Sequence, residues 1–362
     1  MKRRTWLLSA AGAAGALVVG WSILPARSRL GSPDLMLPEA GDVALNGWIK
    51  IAADGSVVLA MARSEMGQGV YTALPMLAAE ELDVPLSSVR IEQAGFDTIY
   101  GNVAMLQESL PFHPLELEAA PRPLKVRLGR WMVGKLAREL GINATGGSSS
   151  VADMWDVLRL AAASARASLL GAASAQWKLP LAELSVKDGV VSHPSGKSAT
   201  YGELAKFAAA TPPGEVKLKA RKDWTLIGQP APRRDVPAKV DGSARFGLDA
   251  RPPGLLYAAI RLCPMLGGAP GPLDAKAALA LPGVQQLVPL PAYAGSTAGF
   301  AVVGRTTWHA RQGAQAVQVQ WQQRAEGALD SKQIEAQIGA ALRAEKGITF
   351  FSQGDIAAAE AR

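Results

Sequence analysis

Two glycine-rich stretches, each followed directly by a long apolar helical pattern, constrain the fold of this chain more than any other feature. The first is RSEMGQGVYT at residues 63–72, and the second is TGGSSS at residues 145–150. Glycine adopts backbone conformations closed to other residues, and a helix N-terminus presents N–H groups that lack an intrahelical acceptor. Each stretch therefore predicts either a glycine-dependent turn into a helix or a binding loop for an anion or a polar cofactor.

The first stretch lies between a predicted hairpin and a predicted helix. Residues 46–62, NGWIKIAADGSVVLAMA, predict two strands joined by a tight turn at Asp54-Gly55. The following apolar spacing predicts one buried helix face over residues 70–82. The corner between strand and helix is then formed by Gly67, Gln68 and Gly69. From these residues alone, a purely structural role for the two glycines stays open.

The second stretch precedes a helical pattern that is long and strong. Its residues offer backbone N–H groups, hydroxyl groups and a helix N-cap together, which suits a phosphate or a pyranopterin. A flexible linker that also caps the helix is the alternative that these residues leave open. The candidate binding residues are Thr145, Gly146, Gly147, Ser148, Ser149 and Ser150.

Composition excludes several classes of protein. With 362 residues, 49% hydrophobic and 19% charged, the chain can fill two or three cores and is not a disordered protein. The net charge of +7 is modest, and the basic residues at 217–239 lie among prolines, so we do not expect nucleic-acid binding. HPSGKS at residues 193–198 lacks the first glycine of a phosphate-binding P-loop, so nucleotide hydrolysis is not predicted.

The titratable residues form no metal or acid–base motif. A single cysteine, Cys263, excludes an iron–sulfur cluster held by this chain alone. Glu80 and Glu81 are adjacent in the predicted helix and point in different directions, so we expect a solvated or capping role and no catalytic pair. The histidines are scattered, and no metal site is predicted: His113, His193 and His309.

The first thirty residues predict export. Lys2-Arg3-Arg4 precedes an apolar run, TWLLSAAGAAGALVVGWSIL, in a pattern similar to a twin-arginine signal, which carries folded, cofactor-loaded proteins. No Ala-x-Ala cleavage site is obvious near Pro25, so a membrane anchor made of residues 1–30 is the alternative to a cleaved signal. We expect a periplasmic protein, either free or anchored to the inner membrane.

The remaining chain divides into segments of different composition. Residues 41–210 hold both glycine-rich stretches, and the proline-rich, basic residues 211–235 predict an interdomain linker. Residues 236–325 predict a compact α+β module, with strands at 240–249, 254–262, 284–290 and 298–304 and helices at 273–281 and 306–317. Residues 326–362 include a helical pattern from Ser331 through Arg343.

Several of these motifs, in this order, carry a resemblance to a known family. SEMGQGVYTALPMLAAEELDVP, LPFHP, TGGSSSVADMWDVLR, RKDWTLIGQPAPRRDVPAKVDGSARFGLD and FAVVGRTTWHARQGAQAVQVQW resemble the molybdopterin-binding large subunit of the xanthine dehydrogenase superfamily. Within it, the chain is most similar to the N-terminal half of the exported group typified by isoquinoline 1-oxidoreductase and related aldehyde dehydrogenases. The resemblance implies an α+β fold, with the N-terminal part of the molybdopterin-binding domain followed by an α/β hammerhead domain at 236–325 and the start of a second molybdopterin domain at 326–362.

The resemblance also assigns cofactor contacts. It implies that Gly67, Gln68 and Gly69 line a molybdenum–molybdopterin cofactor, in mononucleotide or cytosine dinucleotide form. The TGGSSS residues named above would form a second loop on the same cofactor. Partners implied by the resemblance are a small iron–sulfur subunit and, as a further candidate, a cytochrome c.

The family hydroxylates aldehydes or N-heteroaromatic compounds with water-derived oxygen, using a base glutamate in a Gly-x-Gly-Glu motif near the C-terminus of a longer subunit. That motif does not occur in these 362 residues, so a second polypeptide or a missing half would supply the base. Two hypotheses follow: part of an oxidoreductase that supplies cofactor loops, or a catalytically inactive exported binding module.

Overall fold

The structure, a computed structural model, describes residues 27–361 except for 38, 40, 326, 328, 329, 345 and 346. The basic and apolar parts of the predicted export signal, within residues 1–26, lie outside the described residues. The described chain forms two compact units that divide between Ala244 and Arg245. None of the described helices is long and apolar enough to cross a membrane.

The first unit contains a four-stranded sheet in the order β1-β2-β3-β4. Its strands are β1 (Val43–Ala44), β2 (Ile49–Ile51), β3 (Val57–Met61) and β4 (Val89–Gln93). The predicted hairpin is confirmed, since β2 and β3 pair antiparallel around Asp54-Gly55 and Gly55 has a φ of 82°. β4 pairs parallel with β3. All five residues of β3 are buried, as expected for a central strand covered on both faces.

Seven helices of the first unit lie in the described part of the chain. They are α1 (Val70–Leu82), α2 (Val103–Glu108), α3 (Pro114–Glu118), α4 (Leu124–Leu140), α5 (Ser150–Trp177), α6 (Tyr201–Ala209) and α7 (Val236–Val240). Helix α1 connects β3 to β4 and packs on α5, and α6 packs on α5 as well. The sequence prediction of α1 over residues 70–82 is confirmed, as is the long helix after the serine-rich stretch.

The core of the first unit lies where the sheet meets α1, α5 and α6. Trp48 and Tyr100 are fully buried and meet edge to face with ring centroids 4.8 Å apart. The Tyr100 hydroxyl donates to the carbonyl oxygen of Gly47 at 2.6 Å. A second small antiparallel sheet is formed by β5 (Ser185–Lys187), β6 (Val190–Ser192) and β7 (Ser198–Thr200). The predicted turn at Asp188-Gly189 joins its first two strands, both residues having positive φ.

The second unit is a mixture of short strands and helices. Its strands are β8 (Tyr257–Leu262), β9 (Ala269–Asp274), β10 (Val284–Leu290), β11 (Gly299–Gly304) and β12 (Gln318–Gln322). They form antiparallel sheets in the orders β10-β11-β8 and β12-β9. The described helices are α8 (Lys276–Leu279), α9 (Thr307–Ala316), α10 (Ser331–Arg343) and α11 (Ile356–Glu360). Phe300 stacks on Trp321 in the core of this unit.

The sequence expectations for the second half of the chain are met in most places and fail in one. The helix predicted from Ser331 through Arg343 has those bounds. The strand predicted at residues 240–249 is wrong. Val236–Val240 forms α7, Gly242 has a φ of 80°, and Gly247–Asp249 forms a single helical turn. A left-handed residue in the middle of this stretch is incompatible with an extended strand.

Candidate functional site

The loop from Arg63 to Gly69 turns the chain from β3 into α1. Gly67 has a φ of 100° and Gly69, the N-cap of α1, a φ of 90°. Side-chain-bearing residues avoid this region of backbone space, so both positions require glycine. A Cβ atom built on either residue meets no atom of the described structure within 4 Å. The loop therefore leaves space in which a ligand can approach the backbone closely.

The side chain of Glu65 occupies the N-terminus of α1. Its Oε1 accepts hydrogen bonds from the N–H groups of Gly67 at 2.8 Å and Gly69 at 2.9 Å, and its Oε2 accepts from Tyr71 at 3.1 Å. Burial would raise the pKa of Glu65, but these three backbone donors outweigh it and hold the pKa below its ordinary value. Three of the N–H groups that an anion could use at this helix start thus already have an acceptor.

The Gln68 side chain forms hydrogen bonds with backbone groups of its own loop. Its Oε1 accepts from the N–H of Met66 at 2.5 Å, and its Nε2 donates to the carbonyl oxygen of Ser64 at 2.9 Å. The residue is exposed. A primary amide has two donor hydrogens and two acceptor lone pairs, so Gln68 keeps one of each for a ligand.

Arg233 and Asp235, which are distant from the loop in sequence, form a network of hydrogen bonds and ion pairs with it. The Arg233 Nη1 donates to the carbonyl oxygen of Gly67 at 2.8 Å, and its Nη2 lies 3.3 Å from Glu65 Oε1. Nε and Nη2 of the same guanidinium also bind the two oxygens of Asp235 at 3.1 and 2.7 Å. Hydrogen bonds from Arg233 and then Lys239 hold the pKa of Asp235 well below its usual range. Arg233 therefore binds the backbone and the carboxylate of the loop, and Asp235 fixes the position of the Arg233 guanidinium.

The second candidate loop, Thr145 to Ser150, lies against the first. The N–H of Ser64 donates to Thr145 Oγ1 at 2.9 Å, which joins the two loops directly. Gly147 and Ser148 both have positive φ, at 60° and 53°. The Ser149 hydroxyl donates to the carbonyl oxygen of Gly146 at 2.6 Å, and Asn102 Nδ2 donates to Ser149 Oγ at 2.7 Å.

The N-terminus of α5 differs from that of α1 because no side chain caps it. The described residues provide no acceptor for the N–H groups of Ser150, Val151 and Ala152, which are the first three of the helix. Ser148, immediately before the helix, is exposed. Uncapped N–H groups and the positive end of the helix dipole favour a bound anion. Of the two predicted loops, the second thus has the helix N–H groups that lack an acceptor among the described residues.

A buried ion cluster fixes the first turn of α5 to the end of β3. Asp153 Oδ2 pairs with Arg63 Nη2 at 2.6 Å and with Arg29 Nη2 at 2.9 Å, while Oδ1 accepts from the N–H groups of Val103 and Ala104 at 2.9 and 3.1 Å. Burial lowers the pKa of Arg63, and Asp153 opposes that shift. Two guanidinium groups against one carboxylate leave a positive charge beside the uncapped helix start.

Glu80 and Glu81 are fully buried, at 1% and 0% exposure, so of the two expected roles, solvated or capping, the solvated one is wrong. Glu80 accepts hydrogen bonds from the backbone N–H groups of three consecutive residues, Thr225 to Ile227, and from Lys219 Nζ. Glu81 pairs with Arg159 at 2.7 Å. Both carboxylates anchor the predicted linker to α1. The sequence around Glu80 and Glu81 does not indicate this role, because the linker reaches them only in the folded chain.

The three histidines form hydrogen bonds with residues outside the two candidate loops. His193 pairs with Glu183 at 2.8 Å, His309 bonds to Thr306, and His113 caps α3. No group of three metal-ligating side chains occurs within the described ranges.

The region that contains the first loop matches a family model. Residues 3–104 match the model of the molybdopterin cofactor-binding domain. The chain is 34% identical over 320 residues to the beta subunit of isoquinoline 1-oxidoreductase from Brevundimonas diminuta, covering 78% of this chain and 36% of that protein.

Two further relatives have similar coverage of this chain. A membrane-bound aldehyde dehydrogenase (pyrroloquinoline-quinone) of Gluconacetobacter polyoxogenes is 27% identical, covering 73% of this chain and 30% of that protein. A nicotinate dehydrogenase polypeptide of Pseudomonas putida is 26% identical, covering 73% of this chain and 21% of that protein. The matched region thus spans about a third or less of each relative's length. Together with the α+β architecture and the two adjoining glycine-rich loops, these matches show that the chain belongs to the molybdopterin-binding subunits of the xanthine dehydrogenase family and corresponds to their N-terminal portion.

Proposed function

We propose that this chain supplies part of the cofactor-binding surface of a molybdenum hydroxylase that oxidises aldehydes or N-heteroaromatic compounds with water-derived oxygen. The observation that carries the proposal is the direct contact between the two candidate loops through Ser64 and Thr145. Loops that start from distant points in the sequence form one surface, with glycines at Gly67, Gly69 and Gly147 where a side chain would be strained.

The residues of this surface fit the chemistry of a pterin cofactor with a phosphate tail. The uncapped N–H groups at the start of α5 and the exposed Ser148 hydroxyl suit the phosphate. The Gln68 amide, which keeps one donor and one acceptor, suits the polar edge of a pterin. Thr145 Oγ1 accepts from Ser64 and retains its own hydrogen for donation.

The charged groups around the loops orient this surface. Glu65 and Arg233 fix the carbonyl and N–H groups of the first loop, so the Gln68 side chain is presented on a preformed turn. The ion pair of Asp153 with Arg63 anchors the first turn of α5 to the start of the first loop. The uncapped N–H groups of α5 are thereby kept beside the turn that carries Gln68. When bound, the molybdenum cofactor supplies the oxidation and the oxygen transfer, and the described residues bind and orient it.

The proposed enzyme contains further parts. A glutamate base comes from a second polypeptide or from additional sequence, and electrons leave through a small iron–sulfur subunit, with a cytochrome c as a further candidate. We also propose that the protein is exported to the periplasm and that residues 236–325 form an α/β hammerhead domain. The competing function is an exported binding module that has no molybdenum.

Molybdenum content, measured by elemental mass spectrometry on the chain purified from its native host with its co-purifying polypeptides, tests the proposal. We expect a ratio near one molybdenum per chain, and a lower ratio in Gln68→Ala and Ser148→Ala, with both variants still folded. Gln333→Ala and Ser243→Ala replace exposed residues outside both loops and serve as matched controls. A protein without molybdenum, or loop variants that retain all of it, would contradict the proposed site.

A further inference from the structure

A cavity of about 290 Å³ lies on the side of α1, beside the segment that follows the buried Glu80 anchor. Its walls are mostly apolar and include Met76, Leu86, Leu226, Pro230 and Pro232. The two candidate cofactor loops contribute none of its lining residues. The proposed molybdenum chemistry therefore does not account for this cavity.

Arg234 lines the cavity, and its guanidinium has neither a hydrogen-bond acceptor nor a counter-ion among the described residues. Its Nη1 is buried without a hydrogen-bond partner in the described part of the chain, and burial lowers its pKa. No described carboxylate forms an ion pair with it. Its neighbour Arg233, by contrast, binds Asp235 and Glu65. Because an arginine cannot release its proton in a protein, the Arg234 guanidinium stays charged and keeps unused donors.

The backbone holds Arg234 in this position. Its N–H donates to Thr72 Oγ1 at 3.0 Å, which ties the residue to the first turn of α1. Ser87 and Gln229 also line the cavity and are exposed, and their side chains make no hydrogen bond to the described residues. An apolar cavity with a few polar groups that lack partners is the usual form of a small-molecule site.

We propose that this cavity binds a small organic monocarboxylate, with its carboxylate on Arg234 and its apolar body against Met76, Leu86 and Leu226. A guanidinium matches a carboxylate through two parallel hydrogen bonds. An inorganic anion would leave the apolar walls in contact with water, and a neutral apolar molecule would leave the guanidinium unpaired. The cavity volume suits a single aromatic ring or a short branched chain.

Benzoate and its neutral counterpart benzamide test the site by titration calorimetry on the full chain with its co-purifying polypeptides. We expect saturable binding of one benzoate per chain and binding of benzamide that is at least about tenfold weaker, since benzamide lacks the charge. Arg234→Met, which keeps an unbranched apolar stem, should weaken benzoate binding by about tenfold or more. Arg221→Met replaces an exposed arginine of the same segment and should leave binding unchanged.

Thermal unfolding separates ligand binding from a structural role. A guanidinium with a buried Nη1 that has no partner does not stabilise the fold, so Arg234→Met should unfold at or above the temperature of the wild type. Benzoate should raise the unfolding temperature of the wild type and leave that of Arg234→Met unchanged.

Three results would overturn the proposal: equal binding of benzoate and benzamide, full benzoate binding by Arg234→Met, or lost binding together with a lower unfolding temperature. If Arg234→Met does not fold, the comparison of the two ligands on the wild type decides. Molybdenum content is measured separately, so the outcome does not depend on the proposed hydroxylase function.

Discussion

Replacing Glu65 by alanine tests whether the first loop is held by its own carboxylate. The substitution removes the acceptor for three backbone N–H groups at the start of α1. We expect a loss of about 2 kcal/mol in the free energy of unfolding, at the upper end of the range for a lost helix cap. The ion pair with Arg233 adds about 0.5 kcal/mol at most, because that side chain is 38% exposed.

Acidity provides a second readout of the same contact. The pKa of Glu65 lies below its ordinary value of 4.5, so the carboxylate contributes its full stability above that value. That contribution is lost as the pH falls through the lowered pKa of the folded state. Urea denaturation should therefore show a constant gap between wild type and Glu65→Ala from about pH 5 to pH 8, and a gap that closes under more acidic conditions.

Added phosphate gives a third readout. Glu65→Ala frees three N–H groups at a helix N-terminus, so inorganic phosphate should bind there and restore part of the lost stability in a concentration-dependent way. Glu118→Ala, at an exposed position of α3, is the control and should change stability by less than about 0.5 kcal/mol. If Glu65→Ala is as stable as the wild type at pH 7, or if the gap persists in acid, the capping argument is refuted.

Three further substitutions probe contacts within each of the two units. Asp153→Asn leaves two guanidinium groups facing no charge and should cost about 3 kcal/mol in urea unfolding. Glu80→Gln weakens the anchor of residues 225–227 and should speed tryptic cleavage at Lys219, with a loss of about 2 kcal/mol. Gly283→Ala combines a φ of 78° with a clash against the ring of His309, so the second unit should lose at least about 2 kcal/mol in thermal unfolding.

Features set by local sequence could be predicted. The turns at Asp54-Gly55 and Asp188-Gly189 need residues that tolerate positive φ, and the structure places them where the pattern indicated. The bounds of α1 and α10 follow from apolar spacing over three or more turns. The adjacency of the two candidate loops was implied only by the family resemblance, since 75 or more residues separate them.

Features set by tertiary contacts could not be predicted. The burial of Glu80 and Glu81 depends on a linker more than 130 residues later in the chain, whose N–H groups need acceptors. Strand β9, at residues for which no strand was predicted, contains two prolines and a glycine in the sequence APGPLD, and these residues are unfavourable in strands. Sequence analysis did not identify Arg233 and Asp235, because their role depends on folding back against Gly67. Conversely, residues 240–249 had an extended pattern that the left-handed Gly242 excludes.

The two glycine-rich helix starts look alike in sequence and differ in what they offer to a ligand. In the first, Glu65 lies four residues before the N-cap and its carboxylate reaches the N–H groups of the turn. In the second, the acidic residue Asp153 lies inside the helix and binds two arginines and the start of α2. In this chain, the glycines before a helix favour an anion only at the second loop, because the Glu65 carboxylate occupies N–H groups of the first. By this criterion, we propose the start of α5 for phosphate binding and the Gln68 amide of the first loop for a polar contact to the same ligand.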